Sequence, residues 1–88
     1  MTVQIFFIYA EGCEHCAEAI SIIEKVVAES SIDCDIKKFL FETKVAINIA
    51  INHGIDDLPG CVIGRTALQD ENINEINVLK AIKEASNE

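Results

Sequence analysis

The stretch that decides the fold is EGCEHCAEAI, residues 11–20, in which two cysteines stand three positions apart. It follows a run of apolar residues and precedes a segment with helical spacing, so Cys13 and Cys16 lie where a strand gives way to a helix. Two cysteines at this spacing can exchange electrons as a dithiol, bind a soft metal ion, or staple a loop as a structural disulfide. The rest of the sequence distinguishes between these chemistries.

The segments on either side have different periodicities. Residues Val3 to Tyr9 are β-branched and aromatic and nearly all apolar, which predicts a central strand buried on both faces. Gly12 ends that run. From Cys13 to about Ser30 the apolar residues recur at threes and fours, which predicts an amphipathic helix that begins at or just before Cys13. Its predicted core stripe is Cys16, Ala19, Ile20, Ile23, Val26 and Val27.

Three more elements follow from short-range patterns. Apolar and charged residues alternate in SIDCDIKKF, residues 31–39, which predicts a strand at or near a sheet edge. Two short apolar runs, 61–63 and 66–68, are separated by two residues that include a glycine, which is typical of a hairpin. Asn72, with Glu75 three positions later, predicts the start of a last helix. Its apolar stripe is Ile73, Ile76, Leu79 and Ile82.

Residues 41–54, FETKVAINIAINHG, fit both a strand and a helix. Glu42 in a first turn and Gly54 as a stop favour the helix. Ile47 and Ile51 fall off the main stripe of that helix, and they either form an exposed patch for a partner or a second copy, or cover a wider core. With a helix here, the predicted order is β-α-β-α-β-β-α. The main stripe is Phe41, Val45, Ala46, Ile49 and Ala50.

Composition narrows the class of protein. With 88 residues, 50% of them apolar, the chain is expected to form one domain, residues 1–88. The 15 acidic and 7 basic side chains give a net charge of −8, which repels nucleic acid and anionic membranes as partners. The opening apolar run has no positive charge ahead of it and no cleavage site, and it is too short to span a bilayer, so we interpret it as a buried strand. We expect the protein to be cytoplasmic and monomeric.

The other two cysteines have a simple interpretation. The apolar content is enough to build a core without a disulfide framework, so one working pair is the favoured interpretation of the four cysteines. We expect Cys34 and Cys61 to be small buried apolar residues, with Cys34 pointing inward from its strand. Cys61 lies two residues beyond Pro59 and is also a candidate for a third thiol near the pair.

Two separated motifs carry a family resemblance. GCEHC after the first strand, and HGIDDLPGCVIG (residues 53–64) before a hairpin and a terminal helix, resemble the thioredoxin fold over essentially the whole chain, in the short form of glutaredoxins and small thioredoxin-like proteins. The resemblance implies an α/β fold with a four-stranded mixed sheet flanked by three helices. It also implies that Cys13 is the nucleophile, that Cys16 resolves the mixed disulfide, and that Pro59 is a cis proline lying against the pair.

The implied function is thiol–disulfide exchange with a protein disulfide, after which a reductase reduces the Cys13–Cys16 disulfide again. This chemistry needs no metal or other cofactor. Leu58, as the residue before a cis proline, would offer its N–H and C=O to a substrate chain. Position supports the same roles, because the helix N-terminus stabilises a thiolate at Cys13 and helical spacing brings the sulfur of Cys16 within bonding reach. His15, when protonated, favours the thiolate and Glu14 opposes it, which predicts an intermediate reduction potential.

Three alternatives use the same residues. Glutaredoxins usually place a basic residue shortly before the first cysteine, whereas this chain has Glu11 there and Asp56-Asp57 before the proline, which favours a protein disulfide over glutathione. GCEHCAEAI also resembles copper chaperones, and a copper or zinc carrier remains an alternative although that family has the order β-α-β-β-α-β. The third alternative is an adaptor that only binds partners, through the acidic edge formed by Glu11, Asp56 and Asp57. That edge, with Glu14, would steer basic partners or simply be solvated.

Overall fold

Four strands form one mixed sheet in the computed structural model, which describes residues 2–87; Met1 and Glu88 lie outside the described residues. The strands are β1 (Val3–Tyr9), β2 (Cys34–Leu40), β3 (Gly60–Ile63) and β4 (Thr66–Gln69). Their spatial order is β2-β1-β3-β4, with β1 parallel to β2 and antiparallel to β3, and β3 antiparallel to β4. The predicted central position of the first strand and edge position of the second are confirmed.

The helices within residues 2–87 are α1 (Glu14–Ser30), α2 (Lys44–His53) and α3 (Glu75–Ser86), with a short 3₁₀ turn at Asp70–Asn72. The predicted order β-α-β-α-β-β-α is therefore confirmed, including the helix in the ambiguous segment. None of the helices in the described part of the chain is both long enough and apolar enough to cross a bilayer.

β1 contributes to two cores because successive side chains of a strand point to opposite faces of the sheet. Val3, Ile5 and Phe7 pack with buried residues of α1 and α3. Ile8 packs on the other face with Ala46 of α2. Both faces of the central strand are thus covered, which accounts for its nearly continuous apolar sequence.

The predicted start of α2 is wrong by two residues. Glu42 lies ahead of the helix rather than in its first turn, because Thr43 is the N-cap and Lys44 is the first helical residue. Thr43 Oγ1 accepts the N–H of Ala46 at 3.2 Å, which supplies one of the bonds that a helix start lacks. Gly54 ends the helix as predicted, with φ +69°. The predicted stripe is correct for Ala46, Ile49 and Ala50, which are buried or half-buried. It is wrong for Phe41 and Val45, which are exposed.

The predicted start of α3 is also wrong. Asn74 is the N-cap, and its Oδ1 accepts the N–H of Asn77 at 2.9 Å. Asn72 lies in the preceding 3₁₀ turn, where its backbone oxygen accepts a hydrogen bond from Nδ2 of Asn77 at 2.9 Å. Glu75 is therefore the first residue of the helix and not the third partner of a capping box.

The buried face of α3 differs from the predicted stripe, because residues spaced by three drift about 60° per step around a helix. Ile82 is buried and Leu79 is half-buried as predicted, but Ile76 is 80% exposed. Ile76 stands two residues before the buried Val78, which places it about 200° around the helix. Ile73 is buried, although it lies ahead of the helix.

Candidate active site

Cys13 is the N-cap residue of α1. Its backbone is extended, with φ −88° and ψ 111°, and its Sγ accepts the N–H of Cys16 at 3.2 Å. A sulfur thus takes the place of the oxygen that Ser, Thr or Asp supplies at most helix starts. Gly12 makes the turn from β1 with φ +71°, a conformation that residues with a side chain rarely adopt. The turn at Gly12 therefore places the half-buried Cys13 sulfur at the positive end of the α1 dipole.

Cys16 lies one turn inside α1 and differs from Cys13 in exposure. Its side chain is 3% exposed. Burial, the hydrogen bond with Cys13 and the charge of Cys13 together raise the pKa of the Cys16 thiol from 9.0 to about 11, and burial is the largest cause; a backbone hydrogen bond with Ala10 opposes the rise. Cys16 therefore keeps its proton at neutral pH, and Cys13 is the accessible sulfur of the two.

The Leu58–Pro59 segment reaches the same end of the sheet as Cys13. β3 begins opposite Ile8, near the carboxyl end of β1, and β1 leads directly to the cysteine pair. The Leu58–Pro59 peptide bond is cis. Pro59 is buried and its C=O accepts the N–H of Asp70 at 2.8 Å. Leu58 is half-buried and packs against both cores.

A shallow cavity of about 440 Å³ opens beside Cys13 and Cys16. Its walls are largely apolar, and Tyr9 and Ile20 form part of them. Two carboxylates, Glu11 and Glu14, are the charged residues of the lining, and both side chains are exposed. An anionic group entering this cavity would meet like charge.

Gln69, at the end of β4, holds the loop before Pro59. Its Oε1 accepts the backbone N–H groups of Asp56 and Asp57, at 2.8 and 3.0 Å. One amide oxygen therefore satisfies two donors of the segment that leads into Leu58. Sequence reasoning missed Gln69, because no motif marks a contact that the pairing of β3 with β4 creates.

Comparison with known proteins was made by sequence and by structure. By sequence, the chain matches no protein-family model and no curated protein. By structure it is similar to chloroplastic thioredoxin z, with a TM-score of 0.69 and 18% identity over 99% of this chain and 80% of that chain. The chain has a thioredoxin-like fold. Thioredoxin-2 of a malaria parasite gives a TM-score of 0.64 and 17% identity, covering 94% of this chain and 82% of that one.

A third solved structure, of a malarial protein, gives a TM-score of 0.66 and 17% identity, covering 97% of this chain and 98% of that one. At such identities the similarity establishes the thioredoxin-like fold alone and leaves the activity to be argued from the site. The predicted fold class, a four-stranded mixed sheet with three helices, is confirmed.

Within the thioredoxin-like fold, the predicted acidic edge divides between two cavities. Glu14 is the first residue of α1 and lies beside the cysteine pair, as does Glu11. Asp56 and Asp57 line a second cavity, next to α2. His15 follows Glu14 on α1 and its side chain is exposed.

The other two cysteines occupy different parts of the thioredoxin-like fold. Cys61 is fully enclosed in the larger core, and burial raises its pKa from 9.0 to about 12. Cys34 pairs with Val3, at the amino end of β1. Tyr9, next to the cysteine pair, is six residue steps further along β1, which is a distance of about 20 Å. Burial and the charge of Asp33 raise the pKa of the half-buried Cys34 thiol. Cys61 is a buried apolar residue, as predicted, whereas Cys34 is only half-buried and packs against the edge of the larger core.

Across residues 2–87, no three His, Cys, Asp or Glu side chains come together in an arrangement that could hold a metal ion.

Proposed function

We propose that this protein is a small thiol–disulfide oxidoreductase whose substrate is a disulfide in another protein. The observation that carries the proposal is the Cys13 sulfur, placed half-exposed at the start of α1, with the buried Cys16 thiol one turn away. The thiolate of Cys13 attacks one sulfur of the substrate disulfide, and the other substrate sulfur leaves and takes up a proton. Cys16 then loses its proton and attacks the Cys13 sulfur, which releases the second substrate thiol. Two electrons pass to the substrate, and a Cys13–Cys16 disulfide remains for a reductase to reduce.

The causes of the raised Cys16 pKa support this order of events. Two of them, the hydrogen bond and the charge of Cys13, disappear once Cys13 is bound covalently to the substrate. Loss of both makes Cys16 more acidic at the step in which its thiolate is needed. Before that step the protonated Cys16 is a poor nucleophile, so the substrate meets Cys13 first.

The charges near the pair favour a protein disulfide over glutathione. Glu11 and Glu14 line the cavity beside Cys13, and glutathione carries two carboxylates that these side chains repel. Leu58 and Pro59 lie near the same end of the sheet, which supports a role for their backbone in binding an extended substrate segment. A cytoplasmic location fits a core that does not depend on disulfides.

A reductase assay tests the proposal, with a protein disulfide as substrate and dithiothreitol as the electron donor. Cys13→Ser should abolish turnover, and Cys16→Ser should accumulate a mixed disulfide with the substrate that mass spectrometry detects. Cys34→Ser is the matched control and should turn over like the wild type, because Cys34, in β2, pairs with Val3 at the end of β1 far from the cysteine pair. Full activity in Cys13→Ser would contradict the proposal, as would stoichiometric copper or zinc on the anaerobically purified protein with no turnover.

Glu14 and His15 provide a test of how the pair is tuned. Removing the carboxylate in Glu14→Gln should stabilise the Cys13 thiolate and make the disulfide more oxidising. His15→Ala should shift the reduction potential the other way. Equilibration with a glutathione redox buffer measures both, and no change in either variant would show that these two side chains do not set the potential.

A further inference from the structure

A second cavity lies between α2 and the loop that precedes Pro59. It measures about 240 Å³, and we call it the α2 groove. Its apolar lining includes Phe41, Ile47, Ala50, Ile51, Ile55 and Leu58. Three of these are large side chains left in solvent, with exposed fractions of 43% for Phe41, 45% for Ile47 and 73% for Ile51. Exposed apolar side chains that line one groove are suited to binding a partner.

The exposure follows from how α2 meets the sheet. The helix is short, ten residues, and the side chain it buries in the smaller core is Ala46, packed with Ile8. A small residue at the contact leaves the larger isoleucines on other sides of the helix. The groove is therefore open because of the way α2 packs, and a partner can fill it without rearranging the core.

Leu58 connects the α2 groove to the core beneath the proposed reaction site. That side chain lines the groove and also packs against the core that contains Cys16. The residue after it is Pro59, at the end of the sheet where the cysteine pair lies. A substrate segment that passes Leu58 would thus carry its neighbouring side chains to the mouth of the groove.

The charges around the groove select the occupant. Asp56 and Asp57 are the charged residues of its lining, and Gln69 fixes the backbone of both. A second copy of this chain is a poor occupant, because a two-fold contact would bring these carboxylates together on a protein whose net charge is −8. Like charges facing each other across an interface oppose association, whereas a cationic partner is attracted.

We propose that the α2 groove binds an apolar side chain of the substrate protein that is flanked by lysine or arginine; this rests on the proposed function and names its substrate class. The apolar side chain covers Ile47 and Ile51, and the cationic neighbour meets Asp56 and Asp57. The groove thereby selects among protein disulfides by the sequence next to the attacked cysteine, and Cys13 supplies the chemistry.

A binding experiment without any redox step tests the groove directly. The probe is a ten-residue, cysteine-free peptide with one leucine between two lysines, titrated into the reduced, ¹⁵N-labelled full chain. We expect chemical-shift changes in α2 and residues 55–58, and weaker binding by at least about tenfold when glutamate replaces the lysines or serine replaces the leucine. Shift changes elsewhere, equal binding of the three peptides, or no binding would overturn the proposal.

Variants give the matched controls. Ile51→Ser should weaken binding of the lysine–leucine peptide about tenfold, because it removes apolar surface that the leucine covers. Ile76→Ser changes an isoleucine of similar exposure on α3 and should leave binding unchanged. Asp56→Asn with Asp57→Asn should abolish the preference for lysine over glutamate. Equal losses in Ile51→Ser and Ile76→Ser, or dimerisation through Ile51 in sedimentation, would overturn the inference.

Turnover separates this inference from the proposed function. For this assay one cysteine is added to each of the three peptides, and two copies are joined by a disulfide; Ile51→Ser should then raise KM for the lysine–leucine substrate at least fivefold and change kcat little. A wild type that reduces no disulfide yet binds the lysine–leucine peptide in the groove refutes the oxidoreductase and keeps the groove. A wild type that reduces all three peptides with equal KM refutes the groove and keeps the oxidoreductase.

Discussion

The Cys16 thiol should be protected from alkylation in the folded protein by an amount that follows from its environment. Its pKa of about 11, against an ordinary 9.0, lowers the thiolate fraction about 100-fold at pH 8. A more basic thiolate is intrinsically more nucleophilic, and a Brønsted coefficient near 0.45 makes each Cys16 thiolate about eightfold more reactive, which offsets part of that loss. The net effect is a rate about tenfold below that of an unperturbed cysteine. Exposure of 3% slows the reaction further, because the reagent must wait for local opening.

The assay is a time course with iodoacetamide at pH 8, under anaerobic conditions after removal of the reductant. Cys13 and Cys16 precede Lys25, the first site of tryptic cleavage, so one peptide carries both and fragment ions must assign the label. We expect Cys13 to be labelled first. In molecules whose Cys13 is still unmodified, Cys16 should be labelled at least about tenfold more slowly than in guanidinium chloride; the comparison is confined to these molecules because alkylation of Cys13 removes its hydrogen bond and charge from Cys16. Cys16 labelled ahead of Cys13, or at a native rate within twofold of its denatured rate, would refute the reasoning.

Three further predictions concern stability. Burial holds the pKa of Cys61 near 12, above the 9.0 of the unfolded chain. The protonated thiol therefore contributes fully to the free energy of unfolding below pH 9, and this contribution is lost as pH rises toward 12. In urea unfolding at successive pH values, Cys61→Ala should lose less stability at alkaline pH than the reduced wild type does. Asn74→Ala should destabilise the protein by about 1 kcal/mol while Asn72→Ala has little effect, and equal thermal shifts would contradict the cap assignment. Gly64→Ala should cost about 2 kcal/mol in urea unfolding, because φ is +60° and the new Cβ would lie 2.7 Å from Cβ of Ala85; a loss below about 0.5 kcal/mol would count against that.

The elements around the cysteine pair could be predicted because short-range patterns specify them. The β-branched run of Val3–Tyr9, the break at Gly12 and the stripe of α1 each have one reasonable interpretation. The hairpin follows similarly from two apolar runs around Gly64. Placement of Cys13 at the start of a helix, on which the proposed chemistry rests, needed no long-range information.

What the sequence did not settle depends on contacts between distant segments. Asn72 and Asn74 have the same capping chemistry, and the 3₁₀ turn that continues from β4 decides between them. Ile76 fits a stripe of residues spaced by three, but α3 packs through Val78, Ala81 and Ile82, which leaves Ile76 in solvent. The large side chains of α2 matched two periodicities, and which of them are exposed depends on the fit of Ala46 against Ile8.

The double hydrogen bond to Gln69 has a consequence for anyone who transplants this site into another protein. The segment before Pro59 keeps its shape through an acceptor that comes 12 residues after Asp57 and 13 after Asp56. A graft of the loop alone would leave two backbone donors unpaired and the segment free to adopt other conformations. The smallest transferable unit therefore runs from the loop through β4, and a library that varies the loop for new specificity should hold Gln69 constant.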